Sequence, residues 1–281
     1  MNDRVIVLNQ LKNYELYLRM EEKSELTIEK YSRDIKRFYD FVKESIVTKT
    51  LTIEYKNKLI DEGYATRSIN SILTSINRFL IYLGWNDCCV KLLKLQNEIF
   101  RSEDKELTKS EYIKLVRVAN KSNNKRIALI LQTICGTGIR VSELKYITIE
   151  AAKMGRAKVS CKGKLRDVFI VKELRRKLLQ YAKVNGIFSG AIFVTRTGKP
   201  IDRTSIWREM KKLCKIAEIN PIKVYPHNLR HLFARIFYSV EKDIVKLADI
   251  LGHSSINTTR IYMISTGAEH CKKLEMMKLI L

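Results

Sequence analysis

The chain has 281 residues, 46% of them hydrophobic, with 53 Lys and Arg against 30 Asp and Glu for a formal net charge of +23. That length suits two domains and that apolar content suffices for a buried core, while the charge calls for a polyanion, either nucleic acid or an anionic membrane surface. A membrane-spanning or secreted protein is not expected, because no apolar run nears the roughly 20 residues that cross a bilayer and the N-terminus lacks a signal-peptide layout.

The first hundred residues read as helices with almost no strand signal. Leu8, Leu11, Tyr14 (or Glu15) and Leu18 recur at helical spacing. A second helix begins at Ser24-Glu25-Leu26-Thr27, with Ile28, Tyr31, Ile35, Phe38 and Phe41 as its apolar stripe. A third lies around Ile53–Leu59 and ends near Gly63, and a fourth opens at Thr66-Arg67-Ser68, runs through Ile69, Leu73, Ile76, Leu80 and Leu83, and stops at Gly84. Such stripes are core rather than ligand contacts. Residues 97–106 lack periodicity and are rich in charge, so they read as a linker between a helical domain at 1–96 and a second domain at 107–281.

Thr108, with Glu111 three residues on, forms a capping box for the next helix. A buried helix at Ile127–Cys135 is broken by Gly136-Thr137-Gly138. Ala157–Cys161 and Asp167–Val171 then read as two strands of a β-hairpin flanking the turn Lys162-Gly163-Lys164. The remainder is helical, punctuated by glycine and proline, so the fold class is mainly α with a small β-hairpin.

The charge is unevenly placed. Residues 1–100 hold 16 basic and 14 acidic side chains, whereas residues 101–281 hold 37 and 16. The second part is therefore the expected partner of a phosphate backbone, against the simpler reading of a solvated basic surface. The six cysteines show no Cys-x-x-Cys pair, which suggests neither a zinc site nor a disulfide framework and fits a reducing cytoplasm.

Five residues in the expected second domain are suited to phosphate chemistry. Arg140 follows the glycine break and would sit in the first turn of a helix, where free N–H groups and the dipole favour an anion. His227 and Arg230, three apart in Pro226-His227-Asn228-Leu229-Arg230-His231, share one face of a helix. His253 follows Leu251-Gly252 at an expected helix end, and Tyr262 closes Thr258-Thr259-Arg260-Ile261-Tyr262, inside or just after the next helix. Arginine grips phosphate oxygens with a planar fork, imidazole moves protons near neutral pH, and tyrosine is a competent nucleophile. Each residue alone also has an ordinary reading, as a surface arginine, a structural histidine or a packed tyrosine.

Taken as an ordered set, these motifs resemble the tyrosine recombinases, the integrase family that includes the Xer and phage-type recombinases, over essentially the whole chain. Thr137-Gly138-Ile139-Arg140-Val141-Ser142-Glu143-Leu144 is similar to that family's first-arginine motif, and the segments around His227, His253 and Tyr262 to its other boxes. The N-terminal helices look like its SAM-like core-binding domain, with Leu26-Thr27-Ile28-Glu29-Lys30-Tyr31 as its opening, and residues 107–281 like its catalytic domain. The hairpin Cys161-Lys162-Gly163-Lys164-Leu165-Arg166 is similar to the family's lysine hairpin but one residue shorter, so Lys162 is the expected catalytic lysine and Lys164 its rival. Asn228 stands where the family commonly has Asp.

The resemblance implies strand cleavage and rejoining without metal, ATP or any cofactor. Arg140 and Arg230 would clamp the scissile phosphate, Tyr262 would attack phosphorus to give a 3′-phosphotyrosyl link, and Lys162 would protonate the leaving 5′-oxygen. His227 would take the phenolic proton, His253 would hydrogen-bond the phosphate, and Glu143 would orient an active-site histidine. It further implies double-stranded DNA held in a C-shaped clamp, a tetramer on two sites, and a cytoplasmic, nucleoid-associated protein. The tail from Glu269 to Leu281 would dock on a neighbouring protomer or pack on its own domain. Two other readings remain, a DNA-binding regulator without catalysis and a topoisomerase using the same chemistry without strand exchange. Integration, excision, inversion and dimer resolution stay open. The lack of an added N-terminal arm-binding domain leans towards chromosome or transposon dimer resolution.

Overall fold

The computed structural model describes residues 4–94, 105–161, 164–263 and 275–277. Lys162, Gly163, most of the expected linker and most of the C-terminal tail lie outside those residues. The chain divides into two compact units, Met1–Asn97 and Glu98–Leu281.

The first unit is built from α1 (Leu8–Met20), α2 (Glu25–Val42), α3 (Lys49–Asp61) and α4 (Thr66–Tyr82). The apolar stripes read from the sequence meet in its core, where Phe38, Leu73, Ile76, Phe79 and Leu80 have no exposed surface. Aromatic edges lock the layers, with ring centroids 5.1 Å apart for Tyr14 and Phe79 and 5.2 Å for Phe38 and Tyr55. Helix α3 is longer than its apolar stripe suggested because Thr48 caps it, accepting from the Leu51 N–H at 3.2 Å. Two amides on α4 clip the departing chain: Asn70 exchanges both hydrogen bonds with Leu93, and Asn77 both with Val90. Cys88 and Cys89 are free thiols beside this clip.

One polar knot interrupts the apolar interior. The Lys30 ammonium lies 2.6 Å from the Ser71 carbonyl, 2.7 Å from Ser75 Oγ and 2.8 Å from Asp34 Oδ2, which uses all three of its protons. Ser75 in turn donates to Asp34 at 3.0 Å. This knot ties α2 to α4.

The second unit starts with α5 (Lys109–Lys121) and α6 (Lys125–Thr137). Thr108 and Glu111 form the expected capping box, each accepting from the other's backbone N–H. Helix α6 is the central element, packed against α5, α8 (Lys172–Val184), α9 (Arg203–Ala217) and α10 (Pro226–Glu241), with Ile127, Ile130, Leu131 and Ile134 fully buried. After it come a 3₁₀ turn at Val141–Tyr146 and α7 (Ile149–Met154), a short helix that the sequence pattern does not single out. Thr148 starts it by accepting from the Ala151 N–H.

The hairpin pairs β1 (Arg156–Cys161) with β2 (Lys164–Phe169) antiparallel, with Arg156 opposite Phe169, Val159 opposite Arg166 and Cys161 opposite Lys164. The second strand therefore starts three residues earlier than its apolar residues implied. Its inward positions are Arg166 and Val168, against Ala157 and Val159 on β1. The chain ends its described course with α11 (Ile244–Leu251), α12 (Ile256–Arg260) and a 3₁₀ turn at Ile261–Met263.

The polar knot predicts the response of the first unit to Asp34→Ala. Removal of the carboxylate, which is 4% exposed, leaves Lys30 and Ser75 short of a partner. We expect a loss of about 2–4 kcal/mol, the lower end reflecting the partial exposure of Lys30. Urea unfolding would show it as a lower midpoint at unchanged slope. An unchanged midpoint would mean that Lys30 simply turns to solvent.

Candidate active site

Glycines end two helices in the second unit and aim their last carbonyls at one point. Gly138 closes α6 and Gly252 closes α11, both left-handed at φ 65°. At Gly138 a side chain is also excluded by space, since a Cβ would lie 2.5 Å from Phe233 and 3.0 Å from Leu251. The guanidinium of Arg230, brought up by α10, donates to the Gly138 carbonyl and the Leu251 carbonyl at 2.6 Å each. Carbonyls at helix C-termini lack intrahelical partners and carry the negative end of the dipole, so a buried cation is suited to them.

Arg230 is 1% exposed. Burial, then the charge of Arg140, pulls its pKa down to about 10, with the Tyr262 phenol acting in the opposite sense, so it stays a cation at neutral pH. It also meets His253 Nε2, 2.9 Å from Nη2, and is in hydrogen-bonding reach of the Tyr262 phenol. Guanidinium can only donate, so Nε2 is the acceptor and the imidazole proton is on Nδ1. Nδ1 then donates to Thr259 Oγ1 at 2.9 Å. Burial and the charges of Arg230, Arg140 and Arg166 push the His253 pKa down to about 4, which keeps the ring neutral.

Arg140 caps the 3₁₀ turn rather than occupying the first turn of an α-helix, and its side chain stays 31% exposed. Glu143, 3% exposed, holds it twice: one oxygen accepts from the Arg140 backbone N–H and the other from its guanidinium, each at 2.9 Å. The same carboxylate accepts from Arg166 Nη2 at 2.6 Å. Burial pushes this carboxyl up, but the Arg140 N–H and the two guanidiniums outweigh burial and hold it below the usual carboxylate range. Glu143 was expected to orient a histidine. Its hydrogen bonds among the described residues go instead to Arg140 and Arg166, because its own backbone turn carries it beneath the arginines. Two guanidiniums thus share one carboxylate while Arg230 has no acid of its own, and the site keeps an excess of positive charge.

Tyr262 falls in the 3₁₀ turn just after α12 and is 4% exposed. Its ring stacks on His253 at 5.5 Å between centroids, with 13° between the planes. His231 stands edge-on at 4.4 Å, and the exposed His227 lies at 6.2 Å. His231 also meets His227 edge-on at 4.6 Å, as residues four apart on α10 do. The structure therefore brings together Arg140, Glu143, His227, Arg230, His253 and Tyr262, while Lys162 lies outside the described residues. Sequence reasoning passed over Arg166, His231 and Thr259 as site residues. His231 carried a signal in its spacing from His227, and Arg166 in its place at the end of the family-like hairpin motif. Among the described residues no group of three His, Cys, Asp or Glu side chains is placed to hold a metal ion.

Asn228 has a definite task. Its Nδ2 donates to the Lys105 carbonyl at 3.0 Å and to the Lys223 carbonyl at 2.6 Å, tying the start of the second unit to α10. A carboxylate cannot make either donation. Arg235 holds the same stretch through Glu106 and the Leu107 carbonyl.

Comparison with known proteins follows the two units. Residues 11–87 match the N-terminal SAM-like domain of the phage integrases, and residues 105–269 match the phage integrase family. The tyrosine recombinase XerA of Pyrococcus horikoshii is 31% identical over 290 residues, covering 100% of this chain and 98% of that protein. The tyrosine recombinase XerD of Staphylococcus haemolyticus is 29% identical, over 90% of this chain and 92% of that one. Among solved structures, a lambda integrase dimer bound to a COC′ core site superposes with a TM-score of 0.73 at 20% identity, covering 91% of this chain and 94% of that one. XerH bound to its difH substrate gives 0.69 at 18% identity, covering 97% and 90%.

Two outcomes follow from this geometry. The His253 ring should keep the NMR shifts of a neutral, Nδ1-protonated imidazole from pH 8 down to about pH 5, because its pKa lies near 4. The unfolded chain binds that proton below about 6.5, so this residue lowers stability as pH falls from about 6.5 towards 4; a midpoint near 6.5 in the folded protein would mean that the Arg230 contact does not form. Asn228→Asp should destabilise the second unit by about 1–3 kcal/mol at pH 7. That loss should shrink below about pH 4, where the new carboxyl protonates. Equal melting temperatures at pH 7 would refute the assignment.

Proposed function

The chain belongs to the phage integrase family, the tyrosine recombinases, and as the chemistry of this site-specific DNA recombinase we propose that Tyr262 attacks a phosphate held by Arg140 and Arg230. The observation that carries this assignment is the packing of the Tyr262 phenol on His253, whose Nε2 meets Arg230. A phosphate entering beside the partly exposed Arg140 would take the place of His253 on Arg230. Its negative charge would also let the imidazole hold a second proton and donate to a phosphate oxygen. Excess positive charge is suited to the charge that builds in a pentavalent transition state.

In the proposed step the Tyr262 oxygen forms a bond to phosphorus as the bond to the 5′-oxygen breaks. The phenolic proton passes to His227, and the leaving 5′-oxygen takes a proton from Lys162, with Lys164 as its rival. The product is a 3′-phosphotyrosyl ester and a free 5′-hydroxyl. Attack by the 5′-hydroxyl of another strand reverses the sequence and rejoins DNA, and the ester conserves the bond energy, so neither ATP nor a cofactor enters. His231 lies nearer the Tyr262 ring than His227 does, so it is the alternative proton acceptor. Residues 1–96 would grip one face of the duplex and 107–281 the other, as protomers assemble on two sites. We place the protein in the cytoplasm, on nucleoid DNA of a mobile element or a chromosome.

The test uses nicked duplexes, from the gene's own flanks and from random sequence selected for binding, incubated in EDTA and run on a denaturing gel. Wild type should give a slow covalent band and Tyr262→Phe none. Arg230→Lys should lower the cleavage rate about 10²–10³-fold. Binding without any covalent band would favour a non-catalytic regulator. Relaxation of supercoiled DNA that lacks a selected site would favour a topoisomerase.

A further inference from the structure

Arg166 occupies an inward position of β2, opposite the fully buried Val159 and two residues from the buried Val168. Alternation along a strand reserves such positions for apolar side chains, and a cation there is costly unless it is paired. Its side chain is only 12% exposed, and both terminal nitrogens are engaged. Nη2 donates to Glu143 Oε2 at 2.6 Å, and Nη1 donates to the Ile250 carbonyl at 2.7 Å. The stem lies against Gly252, where a Cβ would come within 2.4 Å of Arg166 Cδ and 2.7 Å of Nε.

Those partners have something in common. Glu143 is the carboxylate that steadies Arg140. Ile250 and Gly252 flank Leu251, whose carbonyl holds Arg230, and Gly252 leads directly into His253. With both Nη groups committed and its surface nearly closed, Arg166 is not free to grip a phosphate itself. We propose that Arg166 is a positioning residue that spans from the Glu143 carboxylate to the 250–252 turn and so sets His253 relative to Arg140. A lysine is a poor replacement, because it lacks the planar fork whose two Nη groups meet Glu143 and the Ile250 carbonyl at once. This inference rests on the phosphate-binding roles given above to Arg140 and His253.

The experiment is a double-mutant cycle on single-turnover covalent complex formation, with the same nicked duplexes at saturation. Arg166→Lys should slow the reaction about 10–100-fold, as loss of a support behind a functional group does, while DNA affinity changes by less than about twofold. In a His253→Ala background the further loss should shrink to about threefold or less, because the residue being positioned is gone. An equal loss in both backgrounds, or an Arg166→Lys rate equal to wild type, would overturn the proposal. Melting curves check folding. Should Arg166→Lys not fold, Arg166→Gln serves instead, since its short amide cannot span from Glu143 to the Ile250 carbonyl; its loss must likewise shrink without His253. A wild-type protein forming no Tyr262-dependent complex would sink the functional reading and this inference together, whereas a normal wild type with additive losses sinks this inference alone.

Discussion

The second unit is organised around a buried cation. Arg230 enters from α10 and meets the C-terminal carbonyls of α6 and α11, two elements far apart in sequence. Taking a guanidinium out of water is expensive, and here two helix ends that lack partners of their own provide the compensation. The arrangement demands left-handed glycines at 138 and 252, since each must turn the chain away while leaving the carbonyls exposed to the arginine. His253 follows two residues after the second helix end and Tyr262 one short helix later, so the same contact that closes the fold also locates the proposed functional groups.

Charge sharing gives this centre its character. One carboxylate, Glu143, serves both Arg140 and Arg166, and Arg230 is compensated by neutral carbonyls and an imidazole rather than by an acid. A site built this way holds its cations rigidly without neutralising them. In the proposed reaction an arriving phosphate diester would meet donors already oriented, which is what electrostatic stabilisation of a transition state requires. The graded exposure fits that use, with Arg140 reachable from solvent and Arg230 sealed behind it.

The buried state of Tyr262 follows from the same geometry. Its ring has aromatic neighbours on α10 and on the turn before α12, and it covers apolar surface with Ala234, Leu247 and Leu251. The proposed nucleophile and a core residue are therefore one side chain, so presenting the phenol to DNA would disturb packing that also contributes to stability.

Much of this was legible in the sequence. The helices of the first unit follow from apolar spacing at Ile28, Ile35, Phe38, Leu73 and Leu80, because a 3.6-residue period needs no tertiary information. The Thr108–Glu111 cap and the glycine stops are equally local, and the ordered motifs around Arg140, His227, Arg230, His253 and Tyr262 carried the family. What the sequence could not carry was the identity of partners. Glu143 lies three residues from Arg140 yet also serves Arg166 across the hairpin, His231 rather than His227 is nearest the tyrosine, and Asn228 reaches back to Lys105. The sequence by itself determined which side chains were available for phosphate chemistry, since composition and local period are properties of the chain. Only the tertiary structure decided which of them face one another, because hydrogen bonds between residues some hundred positions apart, such as Arg230 with Gly138, exist only after the helices have packed.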